Sequence, residues 1–232
     1  MRSIILLSAL FSLAACAEST PSQTADTPVE PPTMTMDEPT LEDLSTSLEA
    51  VLAAQPEAVK ARYPFRNPAQ TLDFFGIESG MTVVEALPGG GWYSKILLPY
   101  LGEEGELIGA NYSIDMQRLF SFRTPEQLKK LETWTTDWPE TAATWVEGNN
   151  TPISGFFFGA QPESMAGSAD AVLFIRALHN FARFQNEGNF LTTAIKDAYT
   201  ALKPGGILGV VQHQMREESP DAWAEGNRGY LK

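Results

Sequence analysis

Residues Met81–Leu101 read MTVVEALPGGGWYSKILLPYL. Met81–Ala86 is a short apolar, β-branched run that follows Ser79-Gly80, and it predicts a buried strand. The run enters Leu87-Pro88-Gly89-Gly90-Gly91, and Gly90–Leu101 then predicts a helix despite Pro99 near its end. A strand that turns into a helix through Gly89, Gly90 and Gly91 lacks three Cβ atoms at the turn. The backbone there can approach a ligand closely, and the first N–H groups of the helix are free to meet it. A glycine run alone also suits a flexible turn. Its place between a buried strand and an apolar helix is what favours a ligand site.

The neighbouring sequence repeats the alternation of strand and helix. Asn67-Pro68 reads as a helix start and Gly76 as a stop, framing a helix over 68–75. Glu106–Asn111 predicts a second strand, Pro125–Leu131 a helix, and Thr144–Val146 a weak third strand. Asp170–Ile175 is a strong strand signal. Glu187–Leu202 is helical by its apolar spacing, Lys203-Pro204-Gly205-Gly206 stops it, and Ile207–Val211 is a further strand. Such alternation implies an α/β fold, a parallel sheet with helices on both faces. Ligands of these sheets bind outside the carboxyl ends of the strands, near the switch point.

Composition narrows the function classes. The chain has 232 residues, 43% of them apolar, with 16 Lys and Arg against 29 Asp and Glu and a net charge of -13. So acidic a chain argues against nucleic acid as a partner. One Cys permits no internal disulfide and no Cys-based zinc site, and two His argue against a structural metal.

The amino-terminal segment reads as an address. Arg2 precedes the short apolar run Ile4–Ala15, which suits a signal peptide over 1–15 and is too short to span a bilayer. Leu13-Ala14-Ala15-Cys16 resembles a bacterial lipobox, in which the Cys is lipidated and becomes the mature terminus. This reading places the protein outside the cytoplasm, held on the periplasmic side of a membrane through acylated Cys16. Residues 17–40 carry five Pro and eight Ser or Thr and no basic residue, so 16–40 reads as a disordered tether. A helical segment over 41–66 follows, opened by a helix Leu41–Gln55, and the main domain occupies 67–232.

Three stretches carry a resemblance. Phe74–Leu101, with its PGGGWY segment, Ala169–Asn180 (ADAVLFIRALHN) and Ala201–Val211 (ALKPGGILGVV) together resemble a family of class I S-adenosylmethionine-dependent methyltransferases. The resemblance implies a Rossmann-like methyltransferase domain with S-adenosylmethionine as cofactor and a small molecule as methyl acceptor. By that analogy Glu85 lies near the methionine end of the cofactor. Pro88, Gly89, Gly90 and Gly91 let its backbone pass, and Asn111 ends the ribose-binding strand. Two positions depart from the common pattern: Leu87 stands where many such enzymes have the first Gly, and Asn111 stands where they have an acidic residue. The fold usually closes with two further strands, whereas His213–Lys232 is polar and shows no convincing strand. The expectation is therefore a domain lacking its last two strands, with an exposed sheet edge.

Other residues have a functional and a structural reading. His179 and His213 follow neighbouring strands, and His179 is the candidate general base; the alternative is loop capping. Arg176 and Asn180 flank His179 and can orient a substrate. Arg62 and Arg66 read as a solvated surface, with covering the cleft as the alternative. Trp92 and Tyr93 can face a sulfonium, although core packing suits Trp92 better. Trp134, Trp138 and Trp145 lie in a poorly patterned region, 124–150, that reads as a lid or acceptor pocket, and Phe156-Phe157-Phe158 reads as core or lid packing. The combined expectation is methyl transfer to a small molecule by a lipid-anchored protein. The alternative is a non-catalytic binding or structural protein on the same scaffold.

Overall fold

The computed structural model describes residues 47–220. The expected signal peptide, Cys16, the expected tether and the first residues of the expected helix from Leu41 lie outside the described residues. Five strands form one parallel sheet: β1 (Thr82–Ala86), β2 (Glu106–Asn111), β3 (Ile153–Phe157), β4 (Ala169–Ile175) and β5 (Leu202–Val211). Their order is β3-β2-β1-β4-β5, so the chain winds outward from β1, returns, and winds the other way from β4. This is a Rossmann-like, doubly wound α/β fold with its switch point between β1 and β4.

Alternation along the strands divides the core in two. Val83, Leu107, Ala171 and Leu173 face one side and pack with Leu72, Ile96, Leu97 and Leu101. Val84, Ile108, Ala110, Val172 and Phe174 face the other and pack with Met116, Phe181, Ala194 and Ala198. Strands covered on both faces must be apolar at every position, which is why β1, β2 and β4 are legible as continuous runs. Val51, Leu52 and Val59 are buried in the first of these clusters, so the segment before residue 67 belongs to the same core. Each such side chain contributes about 1.5–3 kcal/mol.

The helix after the glycines begins later than its sequence suggests, at Ser94, and runs to Leu101. Gly89 and Gly91 take left-handed backbone angles, φ 55° and 74°, which no right-handed helix tolerates. Pro99 sits inside this helix and cannot donate to the carbonyl of Lys95. The carboxamide of buried Gln55 does so instead, with Nε2 donating to the Lys95 oxygen at 3.0 Å.

Elsewhere tertiary packing overrides local pattern. Thr144–Val146 is not a strand. The third strand is Ile153–Phe157, an edge strand whose central Ser154 and Gly155 hide the apolar run that marks the others. Trp134–Ala143 is a helix laid on the sheet. Trp134 and Trp138 stack at 5.3 Å, and a Cβ on Gly109 of β2 would lie 2.5 Å from the Trp138 ring. These tryptophans are therefore core and not a lid. The expected helix 187–202 is two helices, Gln185–Gly188 and Phe190–Ala201, divided at Asn189, which is left-handed at φ 54°. The Lys203–Gly206 turn survives as an irregularity within β5, where pairing jumps from Ala169–Leu202 to Ala171–Ile207. Pro204 is tolerated because β5 is an edge strand among the described residues. Leu208, Val210 and Val211 are exposed on it.

Candidate functional site

At the carboxyl end of β1, on the switch-point side, lies a cavity of about 430 Å³. Three parts of the chain build it. The turn from Glu85 to Gly90 forms one wall, Trp92, Tyr93 and Lys95 another, and Arg62 and Arg66 from the amino-terminal helices cover it. Ile175, the last residue of β4, closes the side. Of the residues expected to bind a cofactor, Glu85, Pro88, Gly89 and Gly90 line this cavity; Gly91, Asn111 and the candidate base His179 do not.

Glu85 sits in the middle of the sheet's edge, paired in register with Gly109 and Leu173. Its carboxylate is buried and accepts one hydrogen bond, from the Ser94 hydroxyl at 2.6 Å. Burial pushes its pKa up to about 7, against the smaller opposing effects of the Ser94 bond and the Arg66 charge. Near neutral pH this group is poised between its acid and its anion.

The structure brings both arginines over the cavity, the alternative to the solvated surface that their sequence suggests. The Arg66 guanidinium lies 4.6 Å from the centroid of the Trp92 ring, and Arg62 lies 5.9 Å from it. The cation on the Trp92 face is thus the protein's own. Trp92 also donates from Nε1 to the Val59 carbonyl at 3.3 Å, and Tyr93 donates from its hydroxyl to the Arg66 carbonyl at 3.2 Å. The aromatic pair therefore fastens the covering segment to the domain. Desolvation, with repulsion from Arg62 and Arg176, lowers the Arg66 pKa, and its buried Nε has no partner. The sequence signal for this cover was the pair Arg62 and Arg66 flanking Tyr63-Pro64-Phe65, which no local periodicity connects to residue 92.

The glycines divide into separate duties. Gly90 has open space where a Cβ would stand, as a ligand wall requires. A Cβ on Gly91 would lie 2.1 Å from the Trp145 ring, so Gly91 makes room for an indole. Leu87, at the position that departs from the common glycine pattern, is itself left-handed at φ 58°, as is Arg176 at φ 60°. Each directly follows one of the two strands at the switch point. A non-glycine residue held there costs about 1–2 kcal/mol, a strain that collects at functional sites.

At the carboxyl ends of β2, β4 and β5 the polar groups satisfy one another. Asn111 accepts at Oδ1 from the Tyr112 amide at 2.8 Å and from Gln117 Nε2 at 3.4 Å. Asn180 donates to the Tyr112 hydroxyl at 2.7 Å. Half-buried His179 donates its amide to Gln212 at 3.3 Å, and its Nδ1 lies 3.4 Å from the Gln212 Nε2. Desolvation lowers its pKa, with His213 and Arg176 close enough to contribute. Among the described residues no group of three or more His, Cys, Asp or Glu side chains is placed to hold a metal ion, and no helix is long and apolar enough to cross a membrane.

No protein-family model matches the chain, and a search of curated proteins finds no match. Solved structures with a similar arrangement include a SAM-dependent methyltransferase from Aquifex aeolicus, at 17% identity and a TM-score of 0.46, covering 72% of this chain and 78% of that one. An arsenic(III) S-adenosylmethionine methyltransferase from Chlamydomonas reinhardtii matches at 19% identity and TM-score 0.41, covering 75% of this chain and 51% of that one. A cyclopropane-fatty-acyl-phospholipid synthase-like protein from Lactobacillus casei matches at 16% and 0.43, covering 74% and 59%. The chain thus spans about half the length of the algal protein. Likenesses of this degree carry no chemistry across, so the functional reading rests on the cavity.

Proposed function

We propose that this cavity binds S-adenosylmethionine and that the protein transfers its methyl group to a small molecule. The observation that carries the reading is the pairing of one buried carboxylate, Glu85, with the Arg62–Arg66 cover across a single cavity at the switch point. An α-amino acid end needs both signs: a carboxylate for its ammonium and a guanidinium for its carboxylate. Gly89 and Gly90 leave the backbone open beside them. A volume of about 430 Å³ lies in the range of small-molecule sites. In this reading Glu85 holds the ammonium, Arg66 completes the empty hydrogen-bonding capacity of its buried Nε on the carboxylate, and Asn111 reaches the ribose through its amide nitrogen. When bound, the cofactor would supply an electrophilic methyl group to a lone pair of the acceptor. The protein's own work is to orient the two partners and exclude water.

A second reading, a non-catalytic binding or structural protein on this scaffold, is favoured by one specific observation. Asn111 spends its carbonyl oxygen on Tyr112 and Gln117, and it and His179 lie outside the cavity lining. We also propose that Cys16 carries the lipid anchor, on the sequence pattern that precedes it. Palmitate label that persists in Cys16→Ser would overturn the anchor. Calorimetry with S-adenosylmethionine and S-adenosylhomocysteine tests the cofactor. Micromolar binding lost in Gly90→Val supports it, and no binding by the folded chain leaves the second reading.

A further inference from the structure

The cavity carries more positive charge than its proposed cofactor can use. Arg62, Arg66 and Lys95 line it, and Arg176 stands near enough to lower the Arg66 pKa. The one acid in the wall is Glu85, already hydrogen-bonded to Ser94. Among the described residues, none of the ion pairs includes these four cations. Among the described residues the Trp92 and Tyr93 rings are the cation–π partners of Arg62 and Arg66, the Glu85 charge acts on Arg66, and Lys95 has the Trp145 ring at 5.3 Å. This happens in a chain whose net charge is -13, where carboxylates to neutralise them are plentiful. S-adenosylmethionine brings one carboxylate but also an ammonium and a sulfonium, so its net charge is positive. A cation entering a cation-walled cavity needs a compensating anion beside it.

We infer that the methyl acceptor is a small molecule bearing an oxyanion group, a carboxylate or a phosphate, bound by Arg62 and Arg66 in this cavity. The inference rests on the cofactor reading above and adds the chemical class of the second substrate. Guanidinium groups suit either oxyanion because their forked N–H donors match two oxygens at once. Arg66 is partly immobilised on Trp92 before any ligand arrives, which reduces the ordering cost of binding.

The test uses the full chain in a non-ionic detergent, titrated calorimetrically with succinate and with inorganic phosphate, each alone and with saturating S-adenosylhomocysteine. One of the two anions binds, and which one does separates carboxylate from phosphate chemistry. Binding weakens at least tenfold in Arg62→Gln and in Arg66→Gln, weakens with added salt, and is not seen with neutral succinamide. Lys203→Gln, which alters a cation paired with Asp170 at the opposite end of the sheet, leaves it unchanged. Arg62 is exposed, so its variant stays informative if the Arg66 variant loses its fold by circular dichroism. Absence of anion binding, or equal binding in Arg62→Gln, overturns the inference. S-adenosylhomocysteine binding without anion binding overturns it while the cofactor reading stands. Anion binding without S-adenosylhomocysteine binding removes the cofactor reading and, with it, the inference that the anion is a methyl acceptor.

Discussion

The carboxyl edge of the sheet has two halves that use similar residue types to opposite ends. At β1, Glu85 is buried and accepts a single hydrogen bond, the buried Nε of Arg66 has no acceptor among the described residues, and Gly90 faces open space. At β2 and the start of the helix after β4, Asn111, Tyr112, Gln117 and Asn180 answer one another, and His179 is held against Gln212. A buried polar group left short of partners costs about 1–3 kcal/mol, and at a cavity wall a ligand can recover that cost. The underserved half is where a ligand belongs. The satisfied half shows that an Asn or His at a strand's end also serves to hold the edge together.

The largest effect expected from this contrast lies in the glycine turn. Gly91→Ala forces a Cβ against the Trp145 ring in a left-handed conformation, and together these cost about 4 kcal/mol. Urea unfolding should show that loss. Gly90→Ala, two atoms of backbone away, should change stability by less than about 1 kcal/mol and act on ligand affinity instead. Equal stability losses at the two positions would erase the division between cavity and core.

Next comes Glu85. Its folded pKa is raised from 4.5 to about 7, so the folded protein keeps a proton that the unfolded chain releases near 4.5. Stability therefore falls as pH rises from about 4.5 to about 7, by about 3 kcal/mol from this group, and is flat above. Glu85→Gln should remove that slope and raise stability at pH 8 by about 2 kcal/mol, while abolishing measurable cofactor binding. The same titration predicts how binding responds. An ammonium seeks the ionised carboxylate, so S-adenosylhomocysteine affinity should rise about tenfold per pH unit below 7 and level off above it. A flat profile would detach Glu85 from the ligand.

Smaller effects are expected on the satisfied half. Asn111→Ala loses its bonds to Tyr112 and Gln117 and should cost about 1 kcal/mol in thermal or urea unfolding. A simultaneous tenfold drop in cofactor affinity would bring the β2 end into the site; unchanged affinity would favour binding without the ribose contact. His179→Ala should leave S-adenosylhomocysteine affinity within about twofold, since its ring lies outside the cavity lining. Turnover lowered in that variant would assign the helix Leu178–Arg183 to the acceptor side.

The sequence by itself determined the parallel α/β architecture, the strand–glycine–helix turn and the burial of Glu85 within a strand. It did so because strands covered on both faces are apolar along most of their length, and because glycine is needed where the chain reverses close to other atoms. Tertiary structure alone decided the rest. It placed the third strand at Ile153–Phe157, where an edge position relaxes the apolar requirement. It set Trp134 and Trp138 on the glycines of β2 and β3, and assigned Gly91 to Trp145. Above all it carried Arg62 and Arg66 across to Trp92, where among the described residues neither forms an ion pair. Periodicity records which face of an element meets the core, whereas a charge's partners depend on contacts between distant residues that no local pattern encodes.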